Sequence, residues 1–484
     1  MPETPSRYDE IKEAFAWTPR YQSPDVFYRA RSSMKTDWER FKDPFELVFD
    51  NYMRVQAEKQ QVLWNGLDLL SRFGLNRKID HRWHEFSRLV YAALSPAEYS
   101  ISLSFGRFVR HIPGSSIKLA TMAQVIDEIR HAAIERKTAL KLAEGHPDHI
   151  IYLDRHWKNG WTIQVFRSYF EEVCALAKVD PLQTLLALSF HIEVGISNTI
   201  FAALPESVTR ANDFSTAQTF MSVQSDETRH MALGYNTFRY VLDLVSDADK
   251  ETVNWWNNKW IWRGYRALAP AVAFSADVYN TNKSSSFKEY VYRYLVQFYR
   301  GVEKELQQRG LKRIAFLDAI LDDVEYFTHG LWQVLFAYKY LSFIKVPRVT
   351  RRDRQWLTAK YPHWESLYGQ WWDEVAAGDM KNAQGVPTIC QVCQLPCVFP
   401  SYHEPKIHSS TYQGKEYHFC SEPCKLIFEH DPDIYLAPNI GDRIAAEFAA
   451  GKSLREVQEW MGIPESVIAT GGYMAEDDEG RLLE

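Results

Sequence analysis

One metal-binding phrase occurs twice in this 484-residue chain. Asp127-Glu128-Ile129-Arg130-His131 returns 99 residues later as Asp226-Glu227-Thr228-Arg229-His230. Two more glutamates, Glu98 and Glu193, stand 30 and 34 residues before Glu128 and Glu227. Residues three apart on a helix share a face, so each Glu-x-x-His presents a carboxylate and an imidazole together. Glu and Glu-x-x-His, taken twice, is the donor set from which a four-helix bundle builds a two-metal carboxylate centre. One Glu-x-x-His alone is usually a solvated helix face. Here both copies carry the same flanking Asp and Arg, and each has a partner glutamate in an apolar stripe.

Leu94, Glu98, Ile101 and Phe105 make one stripe; Leu186, Phe190, Glu193, Ser197 and Phe201 make another. Val125 leads to Glu128 and Ala132, and Phe220 and Val223 lead to Glu227 and His230. Four clustered carboxylates in such faces are untenable as bare ions. Two Fe(II) ions carry the four positive charges that match them. Oxygen-rich ligands suit high-valent iron, and two neutral imidazoles leave positions open for dioxygen. Asp127 and Asp226 are placed to orient ligand histidines from behind, with Arg130 and Arg229 as their counter-ions.

A second cluster lies downstream. Cys390-x-x-Cys393 and Cys420-x-x-x-Cys424 enclose 26 residues, and four thiolates in two close pairs fit a structural tetrahedral zinc. Cys397, His403 and His418 are competing ligands. A redox role for the first pair is the weaker reading, since no βαβ pattern surrounds it. Cys174 reads as a buried core thiol.

These donors need rods to hold them. Residues 1–380 read as almost entirely helical, a ferritin-like four-helix bundle with extra helices. Stretches 55–72, 83–105, 118–143, 162–178, 182–201, 216–244, 251–265, 287–309, 313–343 and 354–374 show apolar residues at three- and four-residue spacing. Pro205, Pro270 and Pro347 read as turns or kinks. Residues 385–436 read as a small Cys-rich zinc module of α+β type, with short strands near 410–412 and 417–419. Residues 437–484 read as a helix at 453–461 and an acidic tail.

The chain is 46% hydrophobic, 14% aromatic and 24% charged, which supports a packed core and argues against disorder. Its formal charge of −6 gives no reason to expect nucleic acid. Met1 to Arg7 has no apolar core, so no secretory signal is expected, and uncharged runs such as 194–205 are too short to cross a membrane. Cysteine usage and this absence point to a cytoplasmic protein. The basic run Lys345, Arg348, Arg351, Arg352 and Arg354 reads as a solvated face or, less directly, a dock for an acidic partner. Trp255, Trp256, Trp260 and Trp262 read as core or subunit-interface packing. No nucleotide loop, flavin motif or ferredoxin cysteine set is present, so electrons must come from another protein.

The chain resembles the hydroxylase α-subunits of bacterial multicomponent diiron monooxygenases, most of all phenol hydroxylase, with toluene and alkene monooxygenases next. The likeness rests on 95–99 (Ser-Pro-Ala-Glu-Tyr), 126–131, 224–230, Lys259-Trp260-Ile261-Trp262-Arg263-Gly264-Tyr265-Arg266 and Cys390-Gln391-Val392-Cys393-Gln394-Leu395-Pro396. It implies that Glu98, Glu128 and His131 hold one iron and that Glu193, Glu227 and His230 hold the other. It implies zinc at Cys390, Cys393, Cys420 and Cys424. Ser197 replaces the family threonine that faces dioxygen, and Asn198 and Gln224 match residues beside the centre. Leu94, Ala97, Ile101, Phe170, Ile192 and Phe201 match the substrate pocket, with Ile192 in place of the usual phenylalanine; simple core packing explains the same residues equally well. The resemblance further implies insertion of one oxygen atom into an aromatic ring or double bond. Its implied partners are an NADH-dependent flavin and [2Fe-2S] reductase, a small coupling protein, and β and γ subunits in an α₂β₂γ₂ assembly. Two readings compete: a radical-generating subunit, for which Tyr99 and Tyr169 are candidates, and an iron-binding scaffold without activity.

Overall fold

The computed structural model describes residue 34 and residues 37–144, 153–174, 180–376, 385–397 and 407–483. His403 and the end of the expected 162–178 helix lie outside them. Helix α1 (Phe49–Arg72) packs against two of the four helices that carry the donors. Asp80 caps α2 (His81–Val109) by accepting from the Arg82 and Trp83 amides at 3.0 and 3.1 Å. Glu98 lies in α2, two residues after the internal Pro96. Helix α3 (Ser115–Leu142) packs along α2 and carries Glu128 and His131. Two shorter helices follow, α4 (Leu153–Asn159) and α5 (Gln164–Val173). Asp180 and Pro181 start α6 (Pro181–Arg210) at its N-cap and first position. Asp213 caps α7 (Phe214–Leu244), which carries Glu227 and His230. Helix α8 (Asp247–Ala273) packs behind α6 and holds the Lys259–Arg266 motif.

Within α6 the twelve residues Leu186–Ser197 are wound as a π-helix, and Glu193 lies in it. Such segments are rare and concentrate at functional sites. The wider turn breaks the four-residue stripe expected from the sequence: Phe190 and Glu193 are buried, but Ser197 is half-exposed. Gly234 of α7 makes the contact with this segment possible. A Cβ there would lie 1.7 Å from the Ser189 carbonyl oxygen.

Helix α6 also corrects the reading of membrane-length segments. Its best 18-residue window reaches a mean hydropathy of 1.4, enough to cross a membrane, but 82% of that window is buried within the protein. The helix runs through Pro205, where a turn was expected, and α8 runs through Pro270 in the same way. Burial of both helices outweighs the cost of about 3 kcal/mol for an interior proline.

The expected helix 313–343 is broken into Phe316–Asp323 and Phe327–Ala337. Asp322, Asp323 and Glu325 crowd the negative end of the first piece. Asp323 also turns to α8, accepting from Tyr265 Oη at 2.7 Å and Arg266 Nη1 at 2.6 Å. Pro362 likewise separates Arg351–Lys360 from Trp364–Ala376.

In the Cys-rich module, β1 (His408–Tyr412) and β2 (Lys415–Phe419) form an antiparallel hairpin. Gln413 and Gly414 both take positive φ, as a two-residue turn of this hand requires. The C-terminal stretch contains three helices, Ile440–Ala449, Leu454–Met461 and Glu465–Ile468, where one was expected. The acidic tail then folds back. Tyr473 bridges to Val346, and buried Glu476 accepts from Arg82 Nε at 2.7 Å and Nη2 at 2.9 Å. Within the basic run, Arg351 pairs with Glu479, and Arg354 pairs with Glu365 and Asp373.

Candidate metal centre

The bundle brings all six sequence-identified donors together, in two groups that share Glu128. His131 Nδ1 lies 3.3 Å from Glu128, 3.4 Å from Glu227 and 3.8 Å from Glu98. His230 Nδ1 lies 3.3 Å from Glu128, 3.5 Å from Glu227 and 3.9 Å from Glu193. Glu128 and Glu227 therefore stand between the two imidazoles, whose ring centres are 5.9 Å apart. Glu98 and Glu193 stand at either end. Five of the side chains are at most 3% exposed, whereas Glu98 is 12% exposed and forms the open side of the cage.

The aspartates orient the histidines in a crossed pattern that the sequence did not reveal. His131 of α3 donates Nε2–H to Asp226 of α7 at 3.3 Å. His230 of α7 donates Nε2–H to Asp127 of α3 at 3.1 Å. Arg130 pairs with Asp226, and Arg229 with Asp127, in the same crossed sense. Each carboxylate thereby fixes the tautomer that turns the Nδ1 lone pair inward. Helix α1 completes this outer ring. Tyr52 Oη donates to Asp127 at 2.7 Å, and Gln56 Nε2 and Lys59 Nζ reach Asp226 at 2.6 and 2.5 Å. From α3, Gln124 Nε2 donates to Glu193 at 2.8 Å and to Glu128 at 3.3 Å. These four residues were missed in the sequence; the polar 52-56-59 stripe at helical spacing was the available signal.

The electrostatics call for cations. Burial, reinforced by Glu128 for Glu98 and by Glu227 for Glu193, pushes both end carboxyls well above the usual range. Burial works against charge on Glu227 too, but His230 overcomes it and holds the carboxyl down to about 2. His230 in turn is lifted to about 9 by Glu227 and Glu128 against its burial. Glu227 Oε2 and His230 Nδ1 are buried with no hydrogen-bond partner among the described residues. Two orphaned donor atoms aimed into a cage of four carboxylates and two imidazoles fit a pair of iron ions.

The remaining sequence candidates are more scattered. Ser197 and Asn198 are half-exposed, and Gln224 is exposed on α7. Ala97, Ile101, Phe170 and Ile192 are buried in the main core. Phe201 packs edge-on to Phe220 at 5.8 Å. Leu94 lines a narrow apolar cavity with Phe166, Ile200, Leu204 and Pro270. Tyr99 is 53% exposed, and Tyr169 is buried with its hydroxyl donating to the Ala187 carbonyl at 3.0 Å.

The four paired cysteines form a second, fully buried cluster. Cys420 Sγ lies 3.4 Å from Cys393 Sγ and 3.9 Å from Cys424 Sγ. Corners of a tetrahedron with metal–sulfur bonds of about 2.3 Å are about 3.8 Å apart, so the cluster suits zinc. Burial raises the Cys390 and Cys424 thiols well above their normal range, whereas their cysteine neighbours and Arg266 hold Cys393 and Cys420 below it against burial. Cys397 is buried nearby but outside the four. Helix α8 reaches the sulfurs directly: Trp262 Nε1 donates to Cys424 at 3.2 Å and Arg266 Nη2 to Cys420 at 3.1 Å.

The family model for methane/phenol/alkene hydroxylases matches residues 17–244, which include all six donors, and the YHS domain model matches 400–439. The oxygenase component of phenol 2-monooxygenase from Pseudomonas sp. (strain CF600) is 28% identical over 442 residues, 89% of this chain and 84% of that protein. The oxygenase α-subunit of the Xanthobacter autotrophicus alkene monooxygenase system is 26% identical, covering 95% of this chain and 94% of its own. The crystal structure of xenon-pressurized phenol hydroxylase from Pseudomonas sp. OX1 superposes with a TM-score of 0.89 at 26% identity, over 95% of this chain and 96% of that one.

Proposed function

This chain belongs to the methane/phenol/alkene hydroxylase family as the large hydroxylase subunit of a multicomponent monooxygenase, and on that premise we propose that its substrate is a phenol- or toluene-like aromatic, into which one atom of dioxygen is inserted. The observation that carries the reading is the six-donor cage with Glu227 Oε2 and His230 Nδ1 left open. Glu98, Glu128 and His131 would hold one iron and Glu193, Glu227 and His230 the other, supplying dioxygen binding and reduction.

The chain's own residues do the rest. Asp127 and Asp226 keep both imidazoles aimed inward, and Gln124 steadies Glu193 and Glu128. Glu98, the least enclosed carboxylate, has the most freedom to shift as the centre opens. Leu94, Ala97, Ile101, Phe170, Ile192 and Phe201 form the dry wall against which the ring lies. Ser197, Asn198 and Gln224, nearer solvent, bring protons toward the centre. Cys390, Cys393, Cys420 and Cys424 would hold a structural zinc, and Trp262 and Arg266 tie their sulfurs to α8.

Electrons come from an NADH-dependent flavin and [2Fe-2S] reductase, and a small coupling protein and β and γ subunits complete an α₂β₂γ₂ cytoplasmic assembly. The relatives named as oxygenase components of such systems support partners of this kind. A second reading, alkene or alkane oxidation, is favoured by Ile192, which thins the aromatic side of the pocket, and by the coverage of the alkene relative.

The test supplies the iron-loaded protein with its partners, NADH and isotopically labelled dioxygen. Toluene, phenol, propene and propane are offered separately, and products are read by mass spectrometry. Label in a ring hydroxyl is expected. Label only in an epoxide or alcohol moves the assignment to the second reading. No labelled product from a centre holding two irons and consuming NADH overturns both.

A further inference from the structure

Glu135 is a carboxylate that the centre does not use. It lies one turn beyond His131 and two beyond Glu128 on the inward face of α3, and it is 1% exposed. No donor among the described residues reaches its Oε2. The groups it feels on one side are those of the centre, His131, Glu128 and Glu227, and Glu98 feels it in return. On the other side stands Tyr91. The hydroxyls there are engaged elsewhere: Tyr91 with Thr216 at 2.8 Å, and Thr138 with Thr219 at 2.6 Å and the Ile134 carbonyl at 2.9 Å. Folded proteins leave few buried acceptors without a donor, and such an exception beside a reaction centre is a place for an ordered water, an ion or a ligand group. Burial pushes this carboxyl up to about 8, and in either protonation state one oxygen remains an acceptor.

We propose that Glu135 receives the polar end of the substrate, accepting the O–H of a hydroxylated aromatic ring held between it and the metal centre. This deepens, and rests on, the reading of the bundle interior as an aromatic pocket. Along α3, Glu135 stands four positions after His131, a rise of about 6 Å, so its carboxyl lies on the next turn from a ligand. A ring tethered at its hydroxyl presents one edge to the irons, so the same contact sets both substrate preference and the position attacked. Sites built to bond a substrate hydroxyl discriminate strongly against analogues that lack it.

The probes are phenol and toluene, alike in shape but differing in the donor. The wild-type protein is expected to bind phenol roughly 10- to 100-fold more tightly than toluene. In Glu135→Leu the phenol-over-toluene ratio of kcat/KM falls by a similar factor, mainly through KM for phenol, and the product isomers of a cresol redistribute. Glu135→Gln, which keeps an acceptor oxygen, retains most of the ratio. A preference that survives unchanged in Glu135→Leu overturns the proposal. If that variant does not fold, the wild-type binding comparison decides: equal affinity for the two probes overturns it. A wild type that oxidises toluene without preferring phenol removes the anchor alone. One that oxidises neither removes the aromatic reading beneath it as well.

Discussion

Asp226→Asn probes the crossed bracing of the two histidines. Asp226 gathers four donors: Gln56 at 2.6 Å and Lys59 at 2.5 Å on Oδ1, and Arg130 together with His131 Nε2, at 3.3 Å, on Oδ2. The amide retains one acceptor oxygen and turns an NH₂ group toward the other donors. Lys59, with 23% of its side chain exposed, can swing to water; Arg130, at 7%, stays enclosed. Stranding one partner of a buried pair costs about 3–5 kcal/mol, and the lower figure applies here because one of the two cations escapes. Loss of the group behind a ligand histidine costs about 10- to 100-fold in metal affinity. Since Asp226 serves His131 across the bundle, the loss falls on the iron held with His131, not on the one held with its near neighbour in sequence, His230. Iron titration with isotopically enriched metal, followed by Mössbauer spectroscopy, separates the two populations, and urea unfolding reads the stability. Weakening confined to the His230 side, or equal on both sides, would refute the crossed arrangement.

Gly234→Ala drives a methyl against the Ser189 carbonyl, one turn from His230 on α7 and one from Glu193 on α6. The helices must part by roughly 1.5 Å, at a cost of about 1–3 kcal/mol in stability and about 100-fold in turnover; hydroxylation within twofold of wild type would contradict the packing. Stripping zinc with a chelator should lower the melting temperature by several degrees while the iron content is unchanged, and a melting curve that does not move would remove zinc from the fold. Asp353 accepts from Arg82 and Lys283, and these cations hold its carboxyl far below the usual range against burial. A depressed folded pKa gives stability that is complete above the unfolded value near 3.9 and fades as pH falls through the folded one. Asp353→Asn should therefore be less stable than wild type at pH 7, and the gap should close in strong acid; a gap independent of pH in urea titrations would show that the ion pair contributes little.

The donor set was legible because its constraints are local. Glu-x-x-His needs only helical spacing, and its repetition with the same Asp and Arg removed the bland reading. The helical bundle and the paired cysteines were readable for the same reason. What escaped depends on relations between helices. Which aspartate serves which histidine follows from the antiparallel approach of α3 and α7, and no spacing encodes it. Tyr52, Gln56 and Lys59 act on residues 75 to 170 positions away. The π-winding of α6 was invisible because apolar spacing over twelve residues does not tell a π-turn from an α-turn; the wound segment packs against α7 and α8. The breaks at Val324 and Pro362 were masked by apolar periodicity continuing on both sides. Glu135 was passed over because a carboxylate seven residues after a ligand looks like one more charged helix position until its neighbours are placed.

The least expected consequence concerns the Lys259–Arg266 motif. Its charges point inward: Lys259 and Arg263 pair with buried Glu172 at 2.7 and 3.0 Å, and Tyr435 Oη donates to the same carboxylate at 2.6 Å. Arg266 spans Asp323 and the Cys420 sulfur. One helix therefore carries three enclosed cations whose counter-charges come from α5, the 316–323 helix and the thiolates. The neighbouring cysteines and Arg266 hold the Cys420 thiol below its normal range against burial, so this cation serves Asp323 and the sulfur cluster at once. The opposite face of α8 lies against the π-wound segment, where a Cβ at Gly264 would sit 3.1 Å from Ile196, three residues beyond Glu193. Helix α8 is thus packed between the cysteine cluster on one face and the segment that holds Glu193 on the other.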